Sequence, residues 1–176
     1  RWNLTGIGTI WNLSSTNLTF DSEKSRILMN NTSVTATSFA GAGLIYYTVE
    51  ISKGGNGTIT FTGNNTFTNF IATLCASIVF TAGTTNTFYR FNVQGRVGNI
   101  ITINSTSTAT HALVKTGAGV VNTDYLNIQH SVATPASTWY AGANSTNNQA
   151  VATAGSGWIF TIPTSSKSQL GSGGVG

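Results

Sequence analysis

Two stretches of this chain repeat one another, and that repetition narrows the fold more than any other feature. Phe61-Thr-Gly-Asn-Asn-Thr-Phe-Thr-Asn-Phe70 aligns with Phe80-Thr-Ala-Gly-Thr-Thr-Asn-Thr-Phe-Tyr-Arg-Phe91 once two extra residues are allowed in the second. Each word closes an apolar run in Phe-Thr, passes a polar turn, and opens the next run with Thr-Phe-x-x-Phe. Around them an apolar residue recurs every 21 positions, at Ile7, Leu28, Val49, Phe70 and Phe91, with Ala112 next. Ile59, Phe80 and Ile101 keep the same step in a second register. An interval near 20 residues is one coil of a parallel β-solenoid, whose short strands lie on those of the next coil. One coil alone cannot bury its inward side chains. Stacked coils make a continuous interior column, with about 1.5–3 kcal/mol for each fully buried large apolar side chain, and Leu28, Val49, Phe70 and Phe91 are its expected members.

Composition agrees with an all-β chain. Only 7% of the residues are charged, against roughly 25% in an ordinary soluble domain. Thr, Ser, Asn and Gly take their place, which suits strands and turns. No sustained apolar pattern at i, i+3, i+4, i+7 argues for a helix. Strand-like runs extend from Thr9–Leu13 to Gly157–Ile162 and include 17–20 and Val120–Ile128. Their close spacing is also compatible with a β-sandwich, the competing architecture. The right-handed parallel β-helix is expected over residues 1–162, with a cap at about 121–162. Residues 163–176 read as a flexible Ser/Gly-rich linker or tail. With no initiating Met and no signal peptide, the chain is expected to be a piece of a longer polypeptide.

The net charge of +4 comes from eight Lys and Arg against four Asp and Glu, scattered along the chain. That pattern gives no basic patch for nucleic acid. No apolar run approaches the ~20 residues of a bilayer span, so membrane insertion is not expected. The single Cys75 excludes a disulfide within the chain and reads as a small buried hydrophobe.

From about Arg1 through Thr161 the chain resembles the Thr/Asn/Gly-rich repeat segments of tailed-phage structural proteins and of large bacterial surface proteins. The repeat words above carry part of the likeness. The more specific part is a series of closing words: Val121-Asn-Thr-Asp-Tyr-Leu-Asn-Ile-Gln-His-Ser131, Trp139-Tyr-Ala-Gly-Ala-Asn-Ser-Thr-Asn-Asn148 and Gly157-Trp-Ile-Phe-Thr161. Gln149-Ala-Val-Ala-Thr-Ala154 departs from the pattern, which has more Asn and Gly there. The resemblance implies a right-handed parallel β-helix with a terminal cap, used as a virion or cell-surface building element. It brings no catalytic motif.

Chemistry-bearing residues are few. Glycoside cleavage uses two carboxylates roughly 5–10 Å apart, but Asp21, Glu23, Glu50 and Asp124 fall where a 21-residue step brings no two of them together. Glu50 is expected between Met29 and Ile71, and Asp124 over Ile103. His111, His130 and Cys75 do not make a zinc ligand set. Asp124 and His130 lie at even spacing, hence on one strand face, and suggest a local hydrogen bond. Gly6-Ile-Gly8, Gly41-Ala-Gly43 and Gly117-Ala-Gly119 read as corners, not phosphate cradles. Catalytic, cofactor and metal residues are therefore expected to be none. Trp139 and Trp158 are expected to plug the end of the column, with Trp2 and Trp11 closing the other end or burying against an upstream coil. Trp2, Trp11, Trp139, Trp158, Tyr46, Tyr47, Tyr89, Tyr125 and Tyr140 would be sugar-stacking platforms wherever they are exposed, and Trp139, Tyr140 and Tyr47 are the candidates singled out for stacking against sugar. The expected role is a non-catalytic structural module of a phage virion protein (tail fibre, head fibre or decoration element) at a virion surface or outside the cell. Its expected partners are copies of itself, a trimer being the form considered, other virion or cell-surface proteins, and glycans. A secreted bacterial adhesin or carbohydrate-binding module is the alternative, and a polysaccharide-degrading enzyme a third.

Overall fold

The computed structural model describes residues 1–13, 20–54, 57–149 and 155–164. Over them the chain is a right-handed parallel β-helix of about 7 turns of ~22 residues. The described residues contain no helix, and none long and apolar enough to cross a membrane. Of the run expected at 17–20 only Phe20 is described. The proposed tail lies outside the described residues from 165 onward.

Among the described residues, two seven-stranded sheets and one three-stranded sheet make the walls. The first sheet holds β1 (Trp2–Leu4), β3 (Arg26–Met29), β5 (Ile45–Ser52), β7 (Thr66–Leu74), β9 (Thr85–Val93), β11 (His111–Lys115) and β14 (Ser131–Thr134). The second holds β2 (Gly8–Asn12), β4 (Thr37–Ala40), β6 (Thr58–Thr62), β8 (Ser77–Phe80), β10 (Ile101–Ser105), β13 (Leu126–Ile128) and β16 (Thr146–Asn147). The third holds β12 (Val121–Asn122), β15 (Trp139–Tyr140) and β17 (Trp158–Ile159). Every pairing between these strands is parallel. The expected run Val120–Ile128 is thus two strands on two walls. Tyr125, with φ of 55°, turns the chain between them.

The long strands β5, β7 and β9 each bend through a corner, and their burial shows where. Inward and outward residues alternate along a flat strand. In these three strands two adjacent residues face out together: Tyr47 and Thr48, Thr68 and Asn69, Tyr89 and Arg90. The inward residues flanking the bend, Phe67 and Phe70 in β7, therefore belong to two different walls of the same interior.

That interior is aromatic. The repeat words stack on one another, Phe61 on Phe80, Phe67 on Phe88 and Phe70 on Phe91. Parallel strands about 4.8 Å apart bring in-register rings into offset stacks, with centroids 5.6, 5.4 and 5.7 Å apart. Rings on different walls meet edge to face, as Phe61 with Phe67 at 88° and Phe88 with Phe91 at 85°. Both arrangements suit the aromatic quadrupole, at about 0.5–1.5 kcal/mol per pair beyond burial.

Of the expected column, Val49, Phe70 and Phe91 share one line. Leu28 does not. It lies between Asn3 and Glu50, and Ile27 is the residue under Val49. The coil from Ile27 to Val49 is one residue longer than the step assumed, and a slip of one residue moves a side chain to the opposite face. Leu28 is still shielded, at 5% exposure, but outside the core cluster. Glu50 accordingly sits between Leu28 and Ile71, not Met29 and Ile71. Ile7 lies outside any strand at 63% exposure, and Ala112 pairs with Thr85 instead of following Phe91. The second register also fails. Ile59 stacks under Ile78, Phe80 lies between Phe61 and Ser105, and Ile101 lies under Leu126.

Beyond β9 the third sheet takes over the wall that the distal halves of β5, β7 and β9 had formed. Its inward line runs Val121, Trp139, Trp158. The Phe91 ring reaches past the small Val121 to Trp139 at 5.2 Å, and Trp139 meets Trp158 at 5.1 Å. At the other end Trp11 stacks on Phe39, 5.8 Å apart and 7° from parallel, and donates its indole N–H to the Tyr46 hydroxyl. Trp2 meets Trp11 edge-on and stays exposed.

Candidate functional site

The described carboxylates are all engaged or solitary. Glu50 forms an ion pair with Arg26 across one coil, the only ion pair among the described residues. Asp124 accepts hydrogen bonds from the Asn144 backbone and side chain and from the Tyr125 backbone. Burial raises its pKa, but those donors outweigh it and hold the carboxyl below its ordinary range. Asp21 accepts from the Glu23 backbone, closing a turn. Asp124 and His130 do not meet as even spacing suggested. Positive φ at Tyr125 and His130 (55° and 45°) breaks the extended run, and His130 Nδ1 bonds Asn104 instead. The register also places Leu126, not Asp124, on the coil step from Ile101, so Asp124 does not lie over Ile103.

His111 is the most unusual buried group. It is 1% exposed, packs on Phe80 with rings 5.0 Å apart, and neither ring nitrogen has a hydrogen-bond partner among the described residues. Burial, reinforced by nearby His130, pushes its pKa down to about 3, so the ring is neutral at ordinary pH. Sequence reading gave no sign of this, because the position corresponds to no aromatic in either repeat word. A surface cavity of about 290 Å³ opens beside it, between Gly83–Thr85, Thr110–Ala112 and Val132. None of these residues is acidic.

Cys75 is buried and its thiol is pushed up to about 12 by burial, with Lys53 opposing. It is a protonated packing residue, not a nucleophile. Lys53 is buried after the end of β5, its Nζ donating to the Ser33 and Thr35 carbonyls at 2.9 and 2.6 Å. Lys115 likewise donates to the carbonyls of Gly117 and Ala118. Burial lowers the pKa of both lysines. Each ammonium caps backbone carbonyls and is not presented to solvent. Among the described residues no group of three His, Cys, Asp or Glu converges on a metal position.

The aromatic candidates separate cleanly. Trp139 is fully buried, at 0% exposure, and its indole N–H donates to the Thr134 carbonyl, so it cannot stack against a sugar. Trp158 is buried beside it and donates to the Ser131 hydroxyl. Tyr140, the next residue of β15, is half-buried with Trp139 turned inward. Tyr47 is half-buried on the outer corner of β5. Register joins two of the tyrosines that the sequence offers as stacking groups. Thr48 pairs with Asn69 and Asn69 with Arg90, so their neighbours Tyr47, Thr68 and Tyr89 form a second line beside them. Tyr89 is 48% exposed, and the Arg90 guanidinium lies 5.9 Å from its ring centre. Arg26 pairs with Thr48 and begins the same line. The result is an outer ridge carrying two tyrosines with hydroxyl, amide and cationic groups beside them. Two 21-residue steps from Tyr47, through Thr68, lead to Tyr89.

These observations define a parallel β-solenoid with an aromatic interior, a hydroxyl- and amide-rich exterior and one exposed tyrosine ridge. No protein-family model, no curated protein and no solved structure matches the chain, so its chemistry rests on the side chains themselves.

Proposed function

We propose that the chain is a non-catalytic structural module of a virion fibre or decoration protein, associating with copies of itself. The observation that carries this reading is the unbroken interior line from Ile27 through Val49, Phe70 and Phe91 to Trp139 and Trp158. Nearly every inward position serves coil-to-coil packing, as a load-carrying rod requires. Engagement of Glu50 and Asp124 with Arg26 and Asn144 supports a scaffold over a hydrolase, because a glycosidase needs its carboxylates free to exchange protons. Flat outer walls such as Thr58, Thr60 and Thr62 of β6, next to Ser77 and Val79 of β8, suit side-by-side association of uncharged faces. The test is mass spectrometry of particles banded on a density gradient from a culture that makes the protein. Peptides of this chain should co-band with the particles. Recovery only in the cell envelope or the soluble secreted fraction overturns the virion assignment in favour of an adhesin or carbohydrate-binding module, a reading that the exposed Tyr89 beside half-buried Tyr47 favours.

A further inference from the structure

We infer that the outer corner of β5, β7 and β9 is a binding ridge for an anionic linear polysaccharide, with Tyr47 and Tyr89 as stacking platforms and Arg90 as the anion contact. The ridge works equally on a virion or a cell surface, so it does not depend on which larger protein carries the solenoid. Single aromatics on a surface are ordinary, but here two, the half-buried Tyr47 and the exposed Tyr89, stand in one register line two coils apart. At the parallel-strand spacing that is about 9.6 Å, close to the repeat of a disaccharide in an extended chain. A polymer lying along the solenoid axis would therefore meet one platform per disaccharide.

The ground between and beside the platforms is suited to hydroxyl-bearing rings. Thr68 lies between the tyrosines, and Asn69 beside it donates to Thr48 Oγ1 at 3.3 Å, which fixes the amide while leaving its oxygen to accept. In the following coil Gly117 stands against Tyr89, where a Cβ would come within 2.2 Å of the Tyr89 carbonyl oxygen and 3.2 Å of its ring. A larger residue there would crowd the platform.

Charge selects the kind of polymer. The line beside the tyrosines runs Arg26, Thr48, Asn69, Arg90, with a cation at each end. Arg26 is neutralised by Glu50, whereas Arg90 has no carboxylate partner among the described residues and leans over Tyr89. A guanidinium over an aromatic edge presents its donors to an anion beside a stacked ring. No acidic residue lies in either line.

The probes are polygalacturonate, alginate and hyaluronan, each in affinity electrophoresis of the whole chain, with dextran as neutral control. At least one acidic polymer should retard the protein, and added salt should weaken it. Tyr47→Ala and Tyr89→Ala should each raise Kd on the order of five- to tenfold, as for a single aromatic anchor. Arg90→Gln should do the same and remove most of the salt dependence. Tyr89→Phe should retain binding, and this keeps the test valid if the alanine variant unfolds. Arg96→Gln, an equal loss of charge away from the ridge, should change Kd less than about twofold. The inference is overturned if none of the three polymers binds, if dextran retards equally, or if Arg96→Gln costs as much as Arg90→Gln. Any of those results leaves the scaffold reading intact, since gradient co-banding decides that separately.

Discussion

The central and C-terminal coils of this solenoid solve the same packing problem with different materials. From β5 to β9 the long strands bend through a corner, and three stacks of rings fill the interior at a constant 21-residue step on the first wall. From β11 onward the wall is divided among short strands, and the aromatic lines end one by one. The line of Phe39, Phe61 and Phe80 passes to Ser105, and that of Tyr46, Phe67 and Phe88 to Lys115. Only the third line remains aromatic, as Trp139 and Trp158. A solenoid is stable roughly as the sum of its coils and their interfaces. The difference therefore makes the middle the stable segment and the C-terminal coils the part that can open by itself.

The sharpest way to break this contrast is at Phe70. Its ring touches Phe61, Phe67, Phe80, Phe88 and Phe91 with no exposure, so it joins all three stacks. Phe70→Ala should cost about 3–5 kcal/mol, read as a lower urea midpoint, and should loosen the chain as a whole. Trp158→Ala should cost about 3 kcal/mol, at the low end for removal of a large aromatic, because the edge coil can close over part of the void. Its effect should also be local. Hydrogen exchange should show lost protection over residues 121–159 while amides of β7 and β9 keep theirs. Equal loss in both segments would mean that the solenoid unfolds as one unit and that the contrast has no energetic meaning.

Acid should find the same seam. His111 is held neutral in the fold to about pH 3, whereas in the unfolded chain it protonates near 6.5. Above 6.5 the two states bind the same number of protons and the group is silent. Below it the unfolded chain takes up a proton that the fold refuses, so stability falls until about pH 3 and then levels. At pH 4.5 the loss is on the order of 3 kcal/mol, from two pH units below the unfolded value. His111→Leu should flatten that part of the stability curve. The depressed Asp124 works in the same direction, through stability present above its unfolded pKa and lost as its carboxylate protonates. The informative measurement is therefore the difference between variant and parent across pH 4–7. A difference that stays constant would show that His111 titrates in the fold as in the open chain.

How much of this could be read beforehand depended on coil length. Val49, Phe70 and Phe91 were legible because two successive coils have equal length, and the two-residue insertion between the repeat words was legible as a longer corner. The structure confirms that insertion as a step of 19 at Phe61 and Phe80 that becomes 21 at Phe67 and Phe88. Leu28 was misplaced because one corner is a residue longer, and periodicity has no means of seeing where in a coil the extra residue falls. Ile59, Phe80 and Ile101 failed for the same reason, since corners of different length separate the second-sheet strands. The tyrosine ridge was half legible: Tyr47 and Tyr89 both stood out by their type, while their alignment on one line needed the register. The unpartnered state of His111 could not be read at all, because it depends on which wall meets which. Adjacency puts one of Trp139 and Tyr140 outside without saying which, and the larger ring went inside, where it was expected as the plug of the column.

Ser105 gives the smallest and most discriminating test of the contrast. It occupies the position above Phe80 in the second-sheet line, and its hydroxyl is buried with no hydrogen-bond partner among the described residues. A buried hydroxyl left unpaired costs about 1–3 kcal/mol, and removing it also removes a little packing volume. If the C-terminal coils are the weakly built part, Ser105→Ala should be neutral or stabilise the chain by up to about 1 kcal/mol, a direction few core truncations take. The gain should appear first as slower hydrogen exchange in β10, β11 and β13, ahead of any shift in the global midpoint. A loss of more than ~1 kcal/mol would show instead that the hydroxyl is satisfied in solution. The step from Phe80 to Ser105 would then be a built polar contact within the rod, and the two halves would differ in chemistry but not in strength.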